Sequence, residues 1–438
     1  MSLRDGLTPK MKPISPRRAA VVAALDIGSS KIVCLIARLK PQSPQETLRR
    51  RTHGIEVLGL GHVESRGIKR GAVVDLAEAE FAIRQAVDIA EREAGVQLES
   101  VVVAISAGRI ASELYTATVN VAGAAIADGD IARVLTAGSD HSIRQGRVLL
   151  HSLPIGYSYD GVREVGEPRG MLATEFGVDM HAVTCDAAAA RNLMLTVERC
   201  HLTVESMVAA PYVAGLSALA DDEADLGAAV VDMGAGTTSA AVFGGGRLMH
   251  ADSFALGGSH VTMDLARGLS TPVADAERIK TRYGSVVGGS SDDRDMISVP
   301  RIGEDEREPP QFVSRANLVQ IIKPRVEEIL EMVRDRLAAS SFASEPRARA
   351  VFTGGASQLP GFPELAANIL NRPVRIGRPL GVSGLPDAAK GPAFAVAAGL
   401  IVYPQSAHLE HFEPRRTRHL MTGTGYIARV GRWLRESF

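Results

Sequence analysis

Apolar segments broken by a short polar turn occur twice along the chain in the same pattern. Residues 25–37 and 231–243 each contain an apolar segment, an Asp-x-Gly turn with hydroxyl side chains, and a second apolar segment. Val, Ile and Ala on both sides of an Asp/Gly turn predict a β-hairpin with buried arms and a polar tip. One such turn is common, because Asp suits turn geometry. Its repetition in both halves of the chain indicates a functional pair.

The two predicted tips suit the phosphates of a nucleotide. Glycine lets backbone N–H groups approach an anion closely, and hydroxyl side chains add further donors. Asp26 and Asp232 have the wrong charge for phosphate but suit Mg²⁺, which typically keeps several water ligands. No Walker-type GxxxxGK[ST] motif occurs, so a nucleotide would bind by this route. The candidate phosphate contacts are Gly28, Ser29, Ser30, Lys31, Gly234, Gly236, Thr237 and Thr238.

These duplicated hairpins make the chain similar to the actin-like ATPase superfamily, and three further segments extend the resemblance. An apolar run at 350–353 precedes a Gly-Gly-Ala-Ser turn that resembles the superfamily's adenosine-binding segment. In a predicted helix over 274–284, Glu277 and Lys280 share one face; taken alone they would be a surface ion pair. A Gly-Gly pair before a helix offers N–H groups to an anion. The candidate nucleotide contacts here are Gly257, Gly258, Glu277, Lys280, Gly354, Gly355 and Ser357.

Between the two hairpins, helix-like and strand-like periodicities alternate with one interruption. Apolar spacing predicts a helix over 77–94. A strand-like stretch follows, then a predicted helix over 129–144 and strands over 148–159. Strand–helix–strand alternation resumes at 181–208. The block 105–182 is therefore predicted to be a subdomain inserted into the first half.

The second half is predicted to carry a smaller subdomain of its own. Residues 285–313 are rich in Gly, Asp, Arg and Pro and are predicted to form surface loops. A helix is predicted over 324–333 and another over 391–403.

The last residues of the chain form a second distinctive pattern. Residues 404–425 are polar and rich in Arg and His, which predicts a flexible linker. In the predicted helix over 426–438, one narrow stripe is apolar, with Trp433 at its border, and three arginines lie opposite. Such a helix suits a membrane interface with anionic lipid, and docking on the protein's own body or on a partner is the alternative. The candidate membrane contacts are Ile427, Val430, Trp433, Leu434, Phe438, Arg429, Arg432 and Arg435.

Composition limits the possible functions. The chain has 438 residues, 45% of them hydrophobic, and a net charge of −1, so a large packed protein of several domains is expected and nucleic acid is not an expected partner. Cys34, Cys185 and Cys200 lack CxxC spacing, which suits a reducing cytosol. No run approaches the roughly 18 apolar residues of a membrane-spanning helix.

Together with the 66–71 segment, Arg-Gly-Ile-Lys-Arg-Gly, these motifs resemble the FtsA family of bacterial cell-division proteins over nearly the whole chain. The resemblance implies an α/β fold of two related actin-like domains with ATP and Mg²⁺ in the cleft between them. It also implies an inserted, SHS2-like α+β subdomain and a C-terminal amphipathic helix. The expected divisions are a disordered basic tail (1–18), a first domain (19–104 and 183–226) with the insertion (105–182), a second domain (227–260 and 347–403) with its small subdomain (261–346), a linker (404–425) and the terminal helix (426–438).

The same resemblance implies function and partners. FtsA-like proteins tether the tubulin-like FtsZ to the cytoplasmic face of the inner membrane at the division site, self-assemble into actin-like filaments, and recruit later division proteins through the inserted subdomain. The acidic, apolar FtsZ tail docks on the second small subdomain, where Arg315, Lys323 and Arg325 are the matching basic residues.

One departure from the superfamily concerns catalysis. The helix connecting the two halves, in 207–217, carries no Gln or Glu that could orient an attacking water, so tight ATP binding with weak or negligible hydrolysis is expected and no catalytic residue is assigned. Two other functions of the fold stay open: a sugar kinase, which would need an acceptor pocket with a catalytic Asp, and a pilus-assembly scaffold that binds a peptide of a membrane partner. Neither would need the terminal helix.

Overall fold

The structure is a computed structural model that describes residues 8–43, 48, 50–139, 143–303, 311–345 and 347–410. The predicted terminal helix, and the predicted linker from residue 411 onward, lie outside these residues.

Nineteen strands are present in the described residues. In chain order they are β1 (Ala20–Ile27), β2 (Lys31–Pro41), β3 (His53–Glu64), β4 (Ile68–Lys69), β5 (Ala72–Val73), β6 (Ser100–Ile105), β7 (Ala111–Asn120), β8 (Arg147–Tyr159), β9 (Val162–Val165), β10 (Glu175–Asp186), β11 (Thr203–Ala209), β12 (Ala228–Met233), β13 (Thr238–Gly244), β14 (Arg247–Phe254), β15 (Met296–Val299), β16 (Gln311–Ser314), β17 (Arg349–Thr353), β18 (Val374–Ile376) and β19 (Val382–Ser383).

Ten α-helices accompany the strands over the same described ranges. They are α1 (Leu76–Ala94), α2 (Asp128–Ser139), α3 (Ala187–Arg199), α4 (Ala210–Ala218), α5 (Asp221–Leu226), α6 (Gly258–Gly268), α7 (Val273–Tyr283), α8 (Arg315–Ala338), α9 (Phe362–Leu370) and α10 (Ala395–Val402). None of these helices is both long and apolar enough to cross a bilayer.

The two halves are built on the same sheet plan, as the repeated hairpin pattern suggests. Five strands of the first half lie in the order β3-β2-β1-β6-β11, and those of the second half in the order β14-β13-β12-β17-β18. In each sheet the first three strands are antiparallel neighbours and the remaining pairs are parallel. Five of the eight residues of β1 and five of the six residues of β12 are buried, and each strand is flanked on both sides in its sheet, so each hairpin lies at the centre of its own domain.

The chain returns to the first half near its C-terminal end, which moves the predicted boundary of the second domain. Strand β19 pairs with β3, and the fully buried α10 packs against α4. The two helices approach so closely that a Cβ on Gly399 would lie 1.9 Å from the Val213 carbonyl oxygen. Residues from 382 onward, assigned by sequence to the second domain (347–403), therefore belong to the core of the first.

The inserted subdomain is a four-stranded sheet in the order β7-β10-β8-β9, with α2 packed on β7 and β10. It begins later than predicted, because β6 belongs to the central sheet of the first half and ends at Ile105. Its helix ends at Ser139, and β10 begins at Glu175, ahead of the predicted strand.

The inserted subdomain is bonded to the second half as well as to the first. The His181 imidazole donates from Nδ1 to the Leu248 carbonyl at 2.9 Å, and the Ala251 N–H donates to the Ser112 hydroxyl at 2.7 Å. Burial lowers the pKa of His181 to about 4, so this contact is made by a neutral ring.

The predicted small subdomain contains more regular structure than its sequence suggests. Within the stretch predicted as loops, β15 and β16 form a hairpin. Helix α8 begins at Arg315, well before the predicted 324, and accommodates Pro324 in its interior. The Ser314 hydroxyl caps it by accepting from the Asn317 N–H.

Both predicted flexible ends are ordered where the structure describes them. In the N-terminal segment, Met11 is buried and the Thr8 hydroxyl donates to the Leu149 carbonyl at 2.8 Å. Residues 403–405 and 407–410 form two 3₁₀ turns packed on the body. The ammonium of Lys10 lies 2.5 Å from the Glu410 carboxylate, which joins the two segments. The tail and the linker are therefore shorter than the predicted 1–18 and 404–425.

Candidate nucleotide-binding cleft

The tips of the two hairpins meet between the halves and share one backbone geometry. The Gly28 N–H donates to the Lys31 carbonyl at 3.0 Å, and the Gly234 N–H donates to the Thr237 carbonyl at the same distance. A Cβ added to Gly236 would lie only 2.3 Å from the Ser29 hydroxyl oxygen of the opposite hairpin. Close approach of the tips therefore requires glycine at position 236.

A third segment supports the first hairpin. The Gly71 N–H donates to the Ser29 hydroxyl at 2.8 Å. Gly71 ends the 66–71 segment and adopts a positive φ of 74°, which favours glycine. The tip of the first hairpin is thus held by both the second hairpin and the segment that follows β3.

A cleft of about 720 Å³ opens over the two tips, within the usual size range of small-molecule sites. Most of the candidate nucleotide contacts line it. They are Asp26, Gly28, Ser29, Ser30, Lys31, Asp232, Gly234, Gly236, Thr237, Gly258, Glu277, Lys280, Gly354 and Gly355.

The two aspartates lie at the base of the cleft in an environment that opposes their ionisation. Burial, and then the charge of Asp232, raise the pKa of Asp26 to about 7. Burial raises the pKa of Asp232 to about 6, although the Thr353 hydroxyl donates to its carboxylate at 3.2 Å. Two desolvated carboxylates that repel each other are suited to a divalent cation, which would favour the ionised form of both. The residues present therefore fit Mg²⁺.

The metal would depend on ligands beyond these side chains. In the described residues, no cluster of three or more His, Cys, Asp and Glu side chains could hold an ion. Water molecules and phosphate oxygens would have to complete the coordination sphere, as is usual for Mg²⁺.

Lys31 supplies positive charge at the same place. Its ammonium lies 3.6 Å from the centre of the Phe394 ring, in the 3₁₀ turn before α10. Burial lowers the pKa of Lys31, and the charges of Asp26 and Asp232 oppose that shift. The ring thus holds the ammonium over the phosphate side of the cleft without competing for its hydrogen bonds.

The predicted pair on α7 also faces the cleft. Lys280 Nζ lies 2.6 Å from the Glu277 carboxylate and 2.9 Å from the Thr262 hydroxyl. Glu277 also accepts from Thr262, so the α7 pair is fixed to α6. Both side chains are therefore preorganised at the cleft wall.

Several candidate contacts have other roles. Thr238 is buried and donates to the Leu256 carbonyl at 2.9 Å, and Ser357 is buried and donates to the Gly354 carbonyl at 2.8 Å. The N–H of Gly258 donates to the Gly234 carbonyl, and that of Gly257 to His260 Nδ1. The two hydroxyls and the two N–H groups already have protein acceptors, so the predicted ligand contacts are not made through them.

The cleft wall also contains side chains that sequence reasoning missed. These are His62, Ser106, Ser259, Thr281 and Gln358. Ser106 directly follows the central strand β6, a position at which the end of a buried strand could have indicated it. The ring of His62 packs edge-on against Phe394 at 5.5 Å, and no sequence motif marks it.

The connecting helix α4 begins at the cleft. The cleft residue at the start of α4 is Ala210, whose methyl group cannot position a water molecule.

The three basic residues proposed for partner binding are spread along and around α8, and each lies near an acidic side chain. Arg325 donates to Asp264 at 2.6 Å and so joins α8 to α6. Lys323, two residues earlier and about 200° away around the helix, lies 3.7 Å from Glu327. Arg315, at the start of α8, lies 3.9 Å from Asp292.

Two halves of matching sheet topology, with paired hairpins over an acidic base, define an actin-like protein of the ATPase fold. Known structures agree. The PilM–PilN type IV pilus biogenesis complex aligns with a TM-score of 0.57 at 18% identity, covering 88% of this chain and 98% of that one. MreB5 of Spiroplasma citri bound to ADP aligns with a TM-score of 0.52 at 13% identity, covering 90% and 98%.

Sequence comparison narrows the class. The family model described as cell division protein FtsA matches residues 229–399, and that of the SHS2 domain inserted in FtsA matches residues 107–184. Cell division protein FtsA of Agrobacterium fabrum is 52% identical over 98% of both chains. FtsA of Escherichia coli K12 is 31% identical over 95% of this chain and 98% of that one. The chain belongs to the FtsA family of cell-division proteins.

Proposed function

We propose that this chain binds Mg²⁺-ATP between its two halves, assembles into actin-like filaments on the cytoplasmic face of the inner membrane, and tethers FtsZ there at the division site. The observation that carries the proposal is the convergence of both hairpins on one cleft with two carboxylates at its base. The solved MreB5 structure, which contains ADP, supports a nucleotide in a cleft of this fold.

In this proposal nucleotide acts mainly as a conformational clamp. Both hairpins contribute to one cleft, so a bound phosphate tail would hold the halves together. The inserted subdomain is hydrogen-bonded to β14 of the second half. Closure of the two halves would therefore also move the inserted subdomain. Slow hydrolysis fits this role, because the connecting helix has no Gln or Glu and contributes Ala210 to the cleft.

For the FtsZ tail we propose a surface on the small subdomain that is narrower than the sequence suggested. Met296 and Phe312 are 54% and 59% exposed on the outer face of the β15–β16 hairpin, and Arg315 follows that hairpin. Exposed apolar side chains beside an arginine suit a tail that is both acidic and apolar. Lys323 lies farther along α8, and Arg325 is already paired.

Two further contacts complete the proposal. The predicted helix over 426–438 would insert its apolar stripe into a membrane that contains anionic lipid. Later division proteins would bind the inserted subdomain, whose strand β7 lies at the edge of its sheet and exposes Leu114.

The test is co-flotation with liposomes that contain phosphatidylglycerol. The full chain and a chain ending at Gly425 are compared with and without Mg²⁺-ATP and purified FtsZ. We expect FtsZ to float only with the full chain, and Phe312→Ala to reduce FtsZ recruitment while the protein itself still floats. If the full chain floats but added FtsZ does not float with it, the tether is contradicted. If the full chain and the chain ending at Gly425 float equally, the terminal membrane anchor is contradicted.

A further inference from the structure

A second cavity, of about 560 Å³, lies between the inserted subdomain and the two halves. Helix α4 contributes to both cavities: Ala210 lines the candidate nucleotide cleft, and Tyr212 and Leu216 line the second one. We call the second one the back cavity. Its volume falls within the range of sites that bind apolar ligands.

The walls of the back cavity are apolar and come from three parts of the chain. Leu153 belongs to the inserted subdomain, Leu219 to the first half, and Phe243 and Leu248 to the second. Charged side chains also contribute to the lining, and they are engaged with the protein. Arg51, for example, donates to the Leu380 carbonyl at 2.8 Å and to the Leu216 carbonyl at 3.0 Å.

The chain leaves the described structure at the rim of this cavity. His408 and Leu409 are part of its lining, and the next residue, Glu410, is the last one described. The carboxylate of Glu410 is buried, 2.8 Å from His151 Nδ1 and 3.0 Å from the Tyr403 hydroxyl. Lys10 completes the network. The root of the C-terminal segment is thus fixed beside the cavity by groups from the inserted subdomain and the N-terminal segment.

We propose that residues 426–438 occupy the back cavity of their own chain when no membrane is present. The 15 residues 411–425 would extend to at most about 50 Å and, as a flexible coil, span about 20 Å on average, so the cavity lies well within reach. A tether of this length gives an effective concentration on the order of millimolar. The arginines opposite the apolar stripe would remain in water.

Docking and membrane insertion use the same apolar stripe and therefore exclude each other. The cavity would shield Trp433 and Leu434 from water until lipid competes for them. The inference rests on the proposed function because both require 426–438 to be amphipathic. It adds a docking site on the protein that this segment occupies before it binds the membrane.

The experiment uses Trp433, which is the only tryptophan in the chain. Its emission is recorded for the lipid-free full chain, for Leu409→Glu and Leu216→Glu in the cavity lining, and for the peptide 426–438. Leu226→Glu is the matched control, because Leu226 is 81% exposed and lies outside the lining. We expect a blue-shifted emission, protected from iodide quenching, in the full chain and the control, and loss of both properties in the two cavity variants.

Dilution and lipid separate the possible outcomes. Docking within one chain is independent of protein concentration, whereas a blue shift lost on dilution would show docking into a second copy and overturn the proposal. Emission equal to that of the free peptide, or a blue shift unchanged in both cavity variants, would also overturn it. Flotation with phosphatidylglycerol liposomes is measured in parallel, so a chain that floats yet shows an exposed Trp433 would retain the proposed membrane function and lose only the docking site.

Discussion

The two hairpins at the cleft share the hydrogen bond that closes the tip and have different surroundings. In the first, the tip carries Lys31 and its Ser29 hydroxyl accepts from Gly71. In the second, the tip is small, and its Gly234 and Ala235 carbonyls accept from the first N–H groups of α6. The first hairpin therefore contributes a positive charge to the cleft, and the second contributes a backbone bonded to a helix. The comparison indicates that two elements of one backbone plan contribute different chemical groups to the same cleft.

The aspartates of the two hairpins also differ, in their pKa values. Asp26 has a pKa of about 7 because it is desolvated and repelled by Asp232. Asp232 has a pKa of about 6, and it has the Thr353 hydroxyl as a hydrogen-bond donor. The second carboxylate is thus the better prepared to be ionised at neutral pH, and we expect it to dominate binding of the cation.

The largest effect should come from the aspartates. Asp232→Asn should lower the affinity for Mg²⁺-ATP by more than about 100-fold, because a charge-assisted contact is worth about 3 kcal/mol. Asp26→Asn should lower it less, since Asp26 is partly protonated at pH 7. Calorimetric titration of both variants tests the ranking, and equal losses would remove the distinction between the hairpins.

Lys31→Met should have the second largest effect, a loss of about 30-fold in ATP affinity. The substitution removes the charge-assisted contact to phosphate and keeps the aliphatic part of the side chain. ADP, with one phosphate fewer, provides the comparison. An unchanged ATP affinity would mean that the Phe394 ring holds the ammonium away from the phosphates.

Gly236→Ala should push the two tips apart. Its Cβ would lie 2.3 Å from the Ser29 oxygen and 2.8 Å from the Arg70 Cα, and overpacking of this kind costs about 1.4 kcal/mol, or tenfold in affinity. Gly244→Ala is the control, because its Cβ would meet only Met249 at an ordinary 3.5 Å. Equal nucleotide affinities for the two variants would show that close contact of the tips is not needed.

The smallest effect concerns pH. Affinity for Mg²⁺-ATP should fall as the pH is lowered from 8 through 7 to 6, because protonation of Asp26 and then of Asp232 removes charge from the cation site. Thr353→Val removes the hydrogen-bond donor to Asp232, so the pKa of Asp232 should rise. The loss of Mg²⁺-ATP affinity should then begin at a higher pH, and the affinity at pH 7 should be about fivefold lower. Calorimetry across this pH range tests both, and a flat profile would show that neither carboxylate binds the cation.

Sequence reasoning succeeded where a feature is local and repeated. The hairpin tips, the Glu277–Lys280 pair and the Gly354–Gly355 turn each depend on a few neighbouring residues, and all of them line the cleft. It was less successful for the direction of single hydroxyls. Thr237 and Thr238 are adjacent, but Thr238 begins the buried strand β13 and its hydroxyl donates to the Leu256 carbonyl, so only Thr237 lines the cleft.

The actin-like class, the insertion and the acidic base of the cleft follow from the amino-acid sequence, because turn chemistry and periodicity are short-range properties. The positions of the chain ends depend on tertiary packing. Helix α10 is apolar on all sides and carries no sign of which half it packs against. Likewise, Lys10 and Glu410 are 400 residues apart, and both segments look polar and flexible until His151 and Tyr403 bring them to one buried network. Such long-range pairings depend on the packed fold, and no local pattern encodes them.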